Sequence, residues 1–290
     1  MEKDRDGVKP KAQTSIALTF RRLRQGPGAV FGLVIVTLLC LTAIFADLLA
    51  PSGYAQMHDA LLAFPSGAHL MGTDLLGRDQ LSRVIHGSRV SIYVGLVSIV
   101  FAILVGVPLG LISGYYGGII DNALMRVMDI WVAFPVFLLA ILIMVILEPS
   151  VNNVILAIGI VRIPTYARLV RGSVLSVKER EYIEAAWAIG VKDGLVLFRH
   201  ILPNCLAPVI VVSTVSIANA IIVEASLSFL GLGTQPPTPS WGWDLKANLV
   251  FIDTNPWIVV FPGLAIFLTT LAFNMLGDGL RDALDPRLKR

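Results

Sequence analysis

Four stretches of this chain run for 22 or more residues without a charged side chain: 25–46, 90–120, 200–223 and 254–277. About 20 mainly apolar residues suffice for one helix to cross a bilayer, so the chain must be read first as a membrane protein. Composition agrees. Of the 290 residues, 56% are hydrophobic and only 15% are charged, against about 25% charged in an ordinary soluble domain. A water-facing globule of this size is excluded. Disorder is excluded as well, because apolar side chains dominate and the net charge is only +3.

The 31-residue run from 90 to 120 exceeds one crossing and contains Gly106, Pro108, Gly110, Gly114, Gly117 and Gly118. It reads as a span over about 90–112 followed by a glycine-rich turn. Residues 130–147 make an 18-residue span. Only 13 residues separate Glu148 from Arg162, but admitting Arg162 and Pro164 extends that segment to 19. An arginine away from the helix centre can snorkel or face protein, which lowers its cost. Spans are therefore expected over about 27–49, 90–112, 130–147, 149–170, 205–230 and 256–277. The fold class is all-α: a polytopic membrane protein of six transmembrane helices.

Charge asymmetry orients them. With the N-terminus inside, 18 of the 23 Lys and Arg fall on inner segments, as the positive-inside rule requires. Omitting the span over 149–170 would move the Arg168–Arg199 cluster outside. Residues 1–24 are expected as a cytoplasmic N-terminal segment, with both termini cytoplasmic. Their long charged lead and the missing A-x-A site argue against a cleavable signal.

Several chemistries find no support. Cys40 and Cys205 match neither a disulfide framework nor a zinc site. His58, His69, His86 and His200 are scattered and form no H-E-x-x-H pair, and no G-x-S-x-G motif is present. No catalytic residue and no metal ligand is assigned. The basic balance is explained by membrane edges rather than nucleic acid, for which there is no motif. A P-loop is absent, so any ATP and magnesium would be bound by other chains, and no cofactor by this one.

The segment from 178 to 204 is too polar to cross and too apolar to be a solvated linker. Glu181 to Ile189 reads as a short helix, closed by Gly190 in a positive-φ conformation. Lys192 to Phe198 reads as a second amphipathic piece, with Pro203 marking the start of span five. Ala185 and Ala186 allow close approach of another surface, and Glu184 offers it a carboxylate. On chemistry alone this is either a helix lying on the membrane surface or a docking helix for a soluble partner.

Glu184-Ala185-Ala186, three residues, Gly190, and then Leu202-Pro203 resemble the EAA loop of ABC importer permease subunits. The family has isoleucine three places before the proline, where this chain has His200. Gly72-Thr73-Asp74-Leu75-Leu76-Gly77-Arg78-Asp79 with Ser82-Arg83 resembles the first outer loop of the C-type permease of dipeptide, oligopeptide and nickel importers. Phe261-Pro262-Gly263, Asn274 to Asp282 and Leu284-Asp285-Pro286 are similar to the tail of that subunit. The resemblance runs from Arg21 onward. It implies a bacterial inner-membrane permease pairing with a second permease, two ATP-binding subunits on the EAA loops, and an extracytoplasmic substrate-binding protein. Glu181, Glu184, Ala185, Ala186, Gly190, Leu202 and Pro203 would then form the ATPase contact. A di- or oligopeptide is the expected substrate, with glutathione or a nickel chelate as alternatives within the family.

Other features are read from the residues themselves. Thr73 or Asp74 can cap a helix, and Asp74–Arg78 and Asp79–Arg83 have the spacing of i,i+4 pairs. The loop is either a capped helix packed outside the membrane or a contact for the binding protein. Gly106, Gly110 and Gly114 form a small-residue face suited to close helix packing or to a gliding contact. Glu224 either lines or supports a pathway, or pairs with Arg162. Asn219 and Asn274 are weaker pathway candidates. Trp241 and Trp243 beside a proline cluster suggest an interfacial anchor or a short re-entrant piece. A proton-coupled secondary carrier relaying through Glu224 and Arg162 is the competing function, but it leaves 178–204 without a role.

Overall fold

The computed structural model describes Leu23, Arg24 and residues 26–284. Most of the expected cytoplasmic segment 1–24, and Asp285 and Pro286 of the tail motif, lie outside the described residues. The described residues form helices joined by loops, the longest over 50–79, with no β-strand and two isolated bridges, Met57 to Arg78 and Thr73 to Asp79.

Helix α1 (Pro27–Ile44) begins with a proline at a first-turn position, where a missing N–H costs nothing. A short α2 (Ala46–Leu49) follows. Helix α3 (Gln80–Tyr116) is capped by Asp79, whose carboxylate accepts the Ser82 N–H at 2.8 Å, and it ends at Gly117, φ 65°. At ~1.5 Å per residue, its 37 residues reach ~55 Å from one end of the molecule to the other. Helices α4 (Gly118–Val132) and α5 (Val136–Ile146) come next, then α6 (Val151–Lys178), capped by Ser150. The short α7 (Glu181–Ala188) leads to α8 (Asp193–Leu230), then α9 (Trp241–Asn248) and α10 (Trp257–Leu284).

Five of these, α1, α3, α6, α8 and α10, are long and apolar enough to cross a membrane, and the bent α4–α5 pair makes a sixth if counted as one span. The 130–147 span is therefore corrected: it is not one helix. The chain turns by 86° between α4 and α5. Pro135 explains the break, since it supplies no N–H and disfavours helical geometry at Phe134. Two ion pairs hold α4 against α6: Asp121 with Arg171 at 2.6 Å and Asp129 with Arg168 at 2.8 Å.

The region around Pro203 meets expectation in part. Regular α-helix begins at Leu202 with Pro203 in its first turn, but it continues directly from a π-helical stretch over Val196–Ile201, so the helical path from Asp193 to Leu230 is unbroken. Pro203 cannot donate to the carbonyl of Arg199, and its ring crowds that carbonyl, so a wider turn just before it is the natural accommodation.

The core forms where α3, α6 and α8 meet, around Val94, Ile99, Ala102, Val154, Tyr166, Val170 and Ile221. Helix α10 packs on α1 and α8. Large apolar side chains also cover the outside, among them Leu104, Leu138, Val145 and Ile146, as expected where the solvent is lipid. One end of the molecule carries the 50–79 loop and α9, and the opposite end carries α7.

Candidate functional site

At the loop end, Gly72 and Gly77 adopt φ of 78° and 70°, and a side chain on either would run into the carbonyl oxygens of Ala63 and His58. The Thr73 hydroxyl donates to the Ala60 carbonyl at 2.6 Å and accepts the Ala63 N–H at 2.9 Å. These contacts fold residues 54–79 into a hydrogen-bonded loop rather than a helix. Asp74 and Arg78 form the expected pair at 2.6 Å. The Asp79–Arg83 pair does not form. Asp79 instead caps α3 and meets His69 at 3.1 Å, while Arg83 reaches across to Asp244 on α9.

Arg83 and Asp244 are each 1% exposed. Arg83 donates through Nε at 2.9 Å and through Nη2 to one Asp244 oxygen, and through Nη1 to the Tyr54 carbonyl at 3.2 Å. Burial pushes the Asp244 carboxyl above the ordinary carboxylate range, and the Arg83 guanidinium opposes that shift. Asp244 has no local signal that marks it; its partner lies 161 positions away.

Trp241 is not an interfacial anchor. It is buried, donates from Nε1 to the Val84 carbonyl at 2.9 Å, and fits only because Gly87 on α3 has no side chain. Trp243 is half-buried, with the Lys246 ammonium over its ring.

Within the spanning region, Glu224 on α8 is fully buried. Its Oε1 accepts from Ser228 at 2.8 Å and Ser240 at 2.9 Å, and its Oε2 from Ser91 at 3.4 Å. Arg162 is not among its hydrogen-bond partners. The carboxylate thus ties α8 to α3 and to the segment leading into α9. Removing it by Glu224→Ala leaves three buried hydroxyls without their acceptor, at an expected cost of about 1–3 kcal/mol. Glu224→Gln keeps an acceptor oxygen and should retain more of the monodisperse protein recovered after solubilisation. Arg162 is half-buried on α6, while Asn219 and Asn274 are exposed on α8 and α10. No hydrogen bond or ion pair joins any of the four to another.

Gly106, Gly110 and Gly114 lie against α6. A Cβ on Gly106 would sit 2.7 Å from the Ile163 carbonyl oxygen, one on Gly110 would meet the Ala167 carbonyl, and one on Gly114 would sit 2.8 Å from Val174 Cβ. The stripe brings two backbones into contact.

At the opposite end, α7 buries Ile183 and Ala186 and exposes Glu181, Glu184 and Ala185. Both glutamates lie in its first turn, where the helix dipole favours negative charge. Gly190, φ 77°, closes it: Gly190 N–H donates to Trp187 and Val191 N–H to Ala186, the pattern of a Schellman motif. Leu202 is half-buried. Exposed Pro203 lines a cleft of about 550 Å³ with Arg180 and Arg281. Three aromatic and charged groups that sequence reading did not single out hold α7 in place: Tyr115, Trp187 and Lys178.

Residues 106–290 match the family model of the binding-protein-dependent transport system inner membrane component, and residues 14–65 match the N-terminal TM domain of oligopeptide transport permease C. The dipeptide transport system permease protein DppC of Alkalihalophilus pseudofirmus is 49% identical over 93% of this chain and 89% of its own length. DppC of Escherichia coli K12 is 48% identical over 97% of this chain and 96% of its own. The glutathione transport system permease protein GsiD of Pectobacterium atrosepticum is 45% identical over 93% and 90%. Among solved structures, a chain of the MetNI methionine ABC transporter in inward-facing conformations superposes with a TM-score of 0.58 at 16% identity, over 70% of this chain and 97% of that one. That likeness speaks to the fold alone. With the family model spanning more than half its length and near-full-length relatives well above 40% identity, the chain belongs to the binding-protein-dependent transport system inner membrane components, as an ABC importer permease of the dipeptide/oligopeptide family.

Proposed function

We propose that this permease imports di- or oligopeptides across a bacterial inner membrane, in a heterodimer with a second, related permease. Two ATP-binding subunits hydrolyse Mg-ATP and dock on the α7 segments, and an extracytoplasmic binding protein delivers substrate to the loop end. The α7 end and both termini are cytoplasmic in this reading, in keeping with the distribution of Lys and Arg. This chain itself holds no cofactor and catalyses no reaction.

The observation that carries the coupling role is the two-sidedness of α7. Ile183 and Ala186 anchor it, while Glu181, Glu184 and Ala185 stand exposed beside one another. An eight-residue helix with so little buried surface is stable only as part of a larger packed unit. Gly190 gives it a sharp end, and Leu202 and Pro203 shape the neighbouring surface. Movement of the docked ATPases would push α7 and drive the paired permeases between inward-open and outward-open states.

Asn219 and Asn274 are polar groups exposed on membrane-spanning helices, a costly placement unless they meet a water-filled pathway or the second permease. We assign them to that pathway, with Arg162 beside it and Glu224 supporting it from behind. The substrate assignment rests on the DppC relatives; the GsiD relatives favour glutathione, a modified tripeptide, as the second reading.

The deciding experiment is gentle solubilisation of the chain from native membranes with mass identification of what accompanies it. A second permease and P-loop ATPases are expected. A chain that purifies alone and transports without ATP would overturn the importer reading. Glu184→Lys, which reverses the exposed charge, and Gly190→Pro, which cannot adopt φ 77°, should leave insertion intact and reduce uptake of labelled dipeptide at least tenfold, the effect of losing ~1.4 kcal/mol of coupling. Unchanged uptake at equal expression would refute the α7 assignment.

A further inference from the structure

Four elements meet at one residue near the C-terminal end of α3. The Tyr115 hydroxyl donates to Asp193 at the start of α8, at 2.7 Å, and accepts the Nε1–H of Trp187 on α7 at 3.0 Å. The Lys178 ammonium at the end of α6 donates to the Tyr115 carbonyl at 2.7 Å, and lies 5.6 Å from the Tyr115 ring and 5.8 Å from the Trp187 ring. Tyr115 is 6% exposed and Lys178 and Trp187 are half-buried, while Asp193 closes the cluster from its exposed rim.

Apart from a long, exposed bond from Asn204 to the Tyr182 hydroxyl at 3.4 Å, the rest of the α7 attachment is apolar. Ile183 and Ala186 give a non-directional contact about which a short helix can roll. The Trp187–Tyr115 bond is directional and sits one turn before the Gly190 break, where it blocks that roll. Lys178 braces both rings from α6. On the N-terminal side of Tyr115, α3 is firmly seated: its glycine stripe touches the α6 backbone, and its far end is locked by Arg83 to α9. A tilt imposed on α7 therefore finds its shorter and better-buried side-chain hydrogen bond into the bundle at Tyr115.

We infer that Tyr115 is a positioning residue that converts movement of α7 into movement of α3, through its hydroxyl bridge between Trp187 and Asp193. The inference rests on the reading of α7 as the ATPase contact and adds the element that receives the force. Tyr115→Phe keeps the ring and the Lys178 contact and removes only the bridge. It breaks the link without removing the docking surface.

The test uses the assembled importer in proteoliposomes, with labelled dialanine as probe and uptake and ATP hydrolysis measured on the same samples. Tyr115→Phe is expected to retain subunit stoichiometry and ATP hydrolysis, and to lower uptake per ATP by about three- to tenfold, the range one lost hydrogen bond spans. Trp187→Phe should give a similar loss, and the double variant no more than either alone. Asp193→Asn keeps an acceptor for the hydroxyl and should hold the wild-type ratio. An unchanged ratio in Tyr115→Phe, multiplying losses in the double variant, or an equal loss in Asp193→Asn would each overturn the inference. A cross-link from Glu184→Cys to the ATPase separates the two readings. Its presence with an unaltered Tyr115→Phe ratio refutes the Tyr115 role alone, and its absence in the otherwise wild-type complex refutes the α7 assignment and the Tyr115 role together.

Discussion

Arg83→Ala is expected to leave little folded permease, although Arg83 lies far from every residue assigned to coupling. The guanidinium is 1% exposed and faces Asp244, also 1% exposed, with Asp74 at 3.9 Å. Removing it strands the Asp244 carboxylate in a dry setting. Breaking a buried pair by deleting one partner costs about 3–5 kcal/mol, a large part of the ~5–15 kcal/mol that holds a typical domain together. The measurement is thermal unfolding of detergent-purified protein, alongside the yield of monodisperse material. Asp244→Ala should be similarly damaging. The double variant Arg83→Met/Asp244→Leu, which removes both charges while filling the space, should recover much of the loss, since apolar replacements of buried pairs are often neutral or better. Wild-type stability in Arg83→Ala would show that the pair does not brace the loop end.

Gly110→Leu should be the most damaging single change in the spanning region. A Cβ at this position already meets the Ala167 carbonyl and sits 2.9 Å from Val170 Cβ. The obstacle is helix backbone, which cannot rotate aside as a side-chain tip does. Overpacking typically costs about 1–3 kcal/mol, and backbone neighbours place this substitution at the top of that range or above it. Separation of α3 from α6 should appear as loss of recovered protein and, in surviving material, of transport. Gly172→Ala is the internal control. It lies on α6 itself with nothing within 4 Å of an added Cβ, and should be neutral or slightly stabilising through reduced chain entropy. Equal behaviour of the two variants would refute the close-contact reading of the stripe.

Much of the architecture was legible because lipid leaves few choices. Uncharged runs of 22–31 residues announce spanning helices whatever they pack against. Gly190 was readable for a related reason: a helix ending in a positive-φ residue is a local backbone event, and the glycine shows it. The 130–147 segment was misread because counting charges ignored Pro135, whose missing N–H and steric demand outweigh apolar composition. The Asp79–Arg83 pair was misread because the spacing says nothing of competing partners: Asp79 caps α3 and is taken by Ser82, while Arg83 finds Asp244 on a distant segment.

The candidate site was legible only in part. The exposed residues of α7 stand out as a short motif, but what holds them does not. Tyr115, Lys178, Trp187 and Asp193 come from four different helices and share no spacing. Glu224 could be recognised as a buried charge, while its partners could not: Ser91 and Ser240 lie 133 and 16 positions away, and hydroxyls are too common to mark a pairing in advance.

The sequence by itself therefore determined the membrane as solvent, the positions of most spanning helices, the caps and breaks that glycine and proline impose, and the family. These are properties of single segments, set by transfer free energy and local backbone sterics. The tertiary structure alone decided that Arg83 answers Asp244, that Glu224 gathers three serines, and that Tyr115 joins α7 to α3. Pairings of that kind depend on which helix faces meet, and no local pattern encodes a contact between residues brought together only by packing.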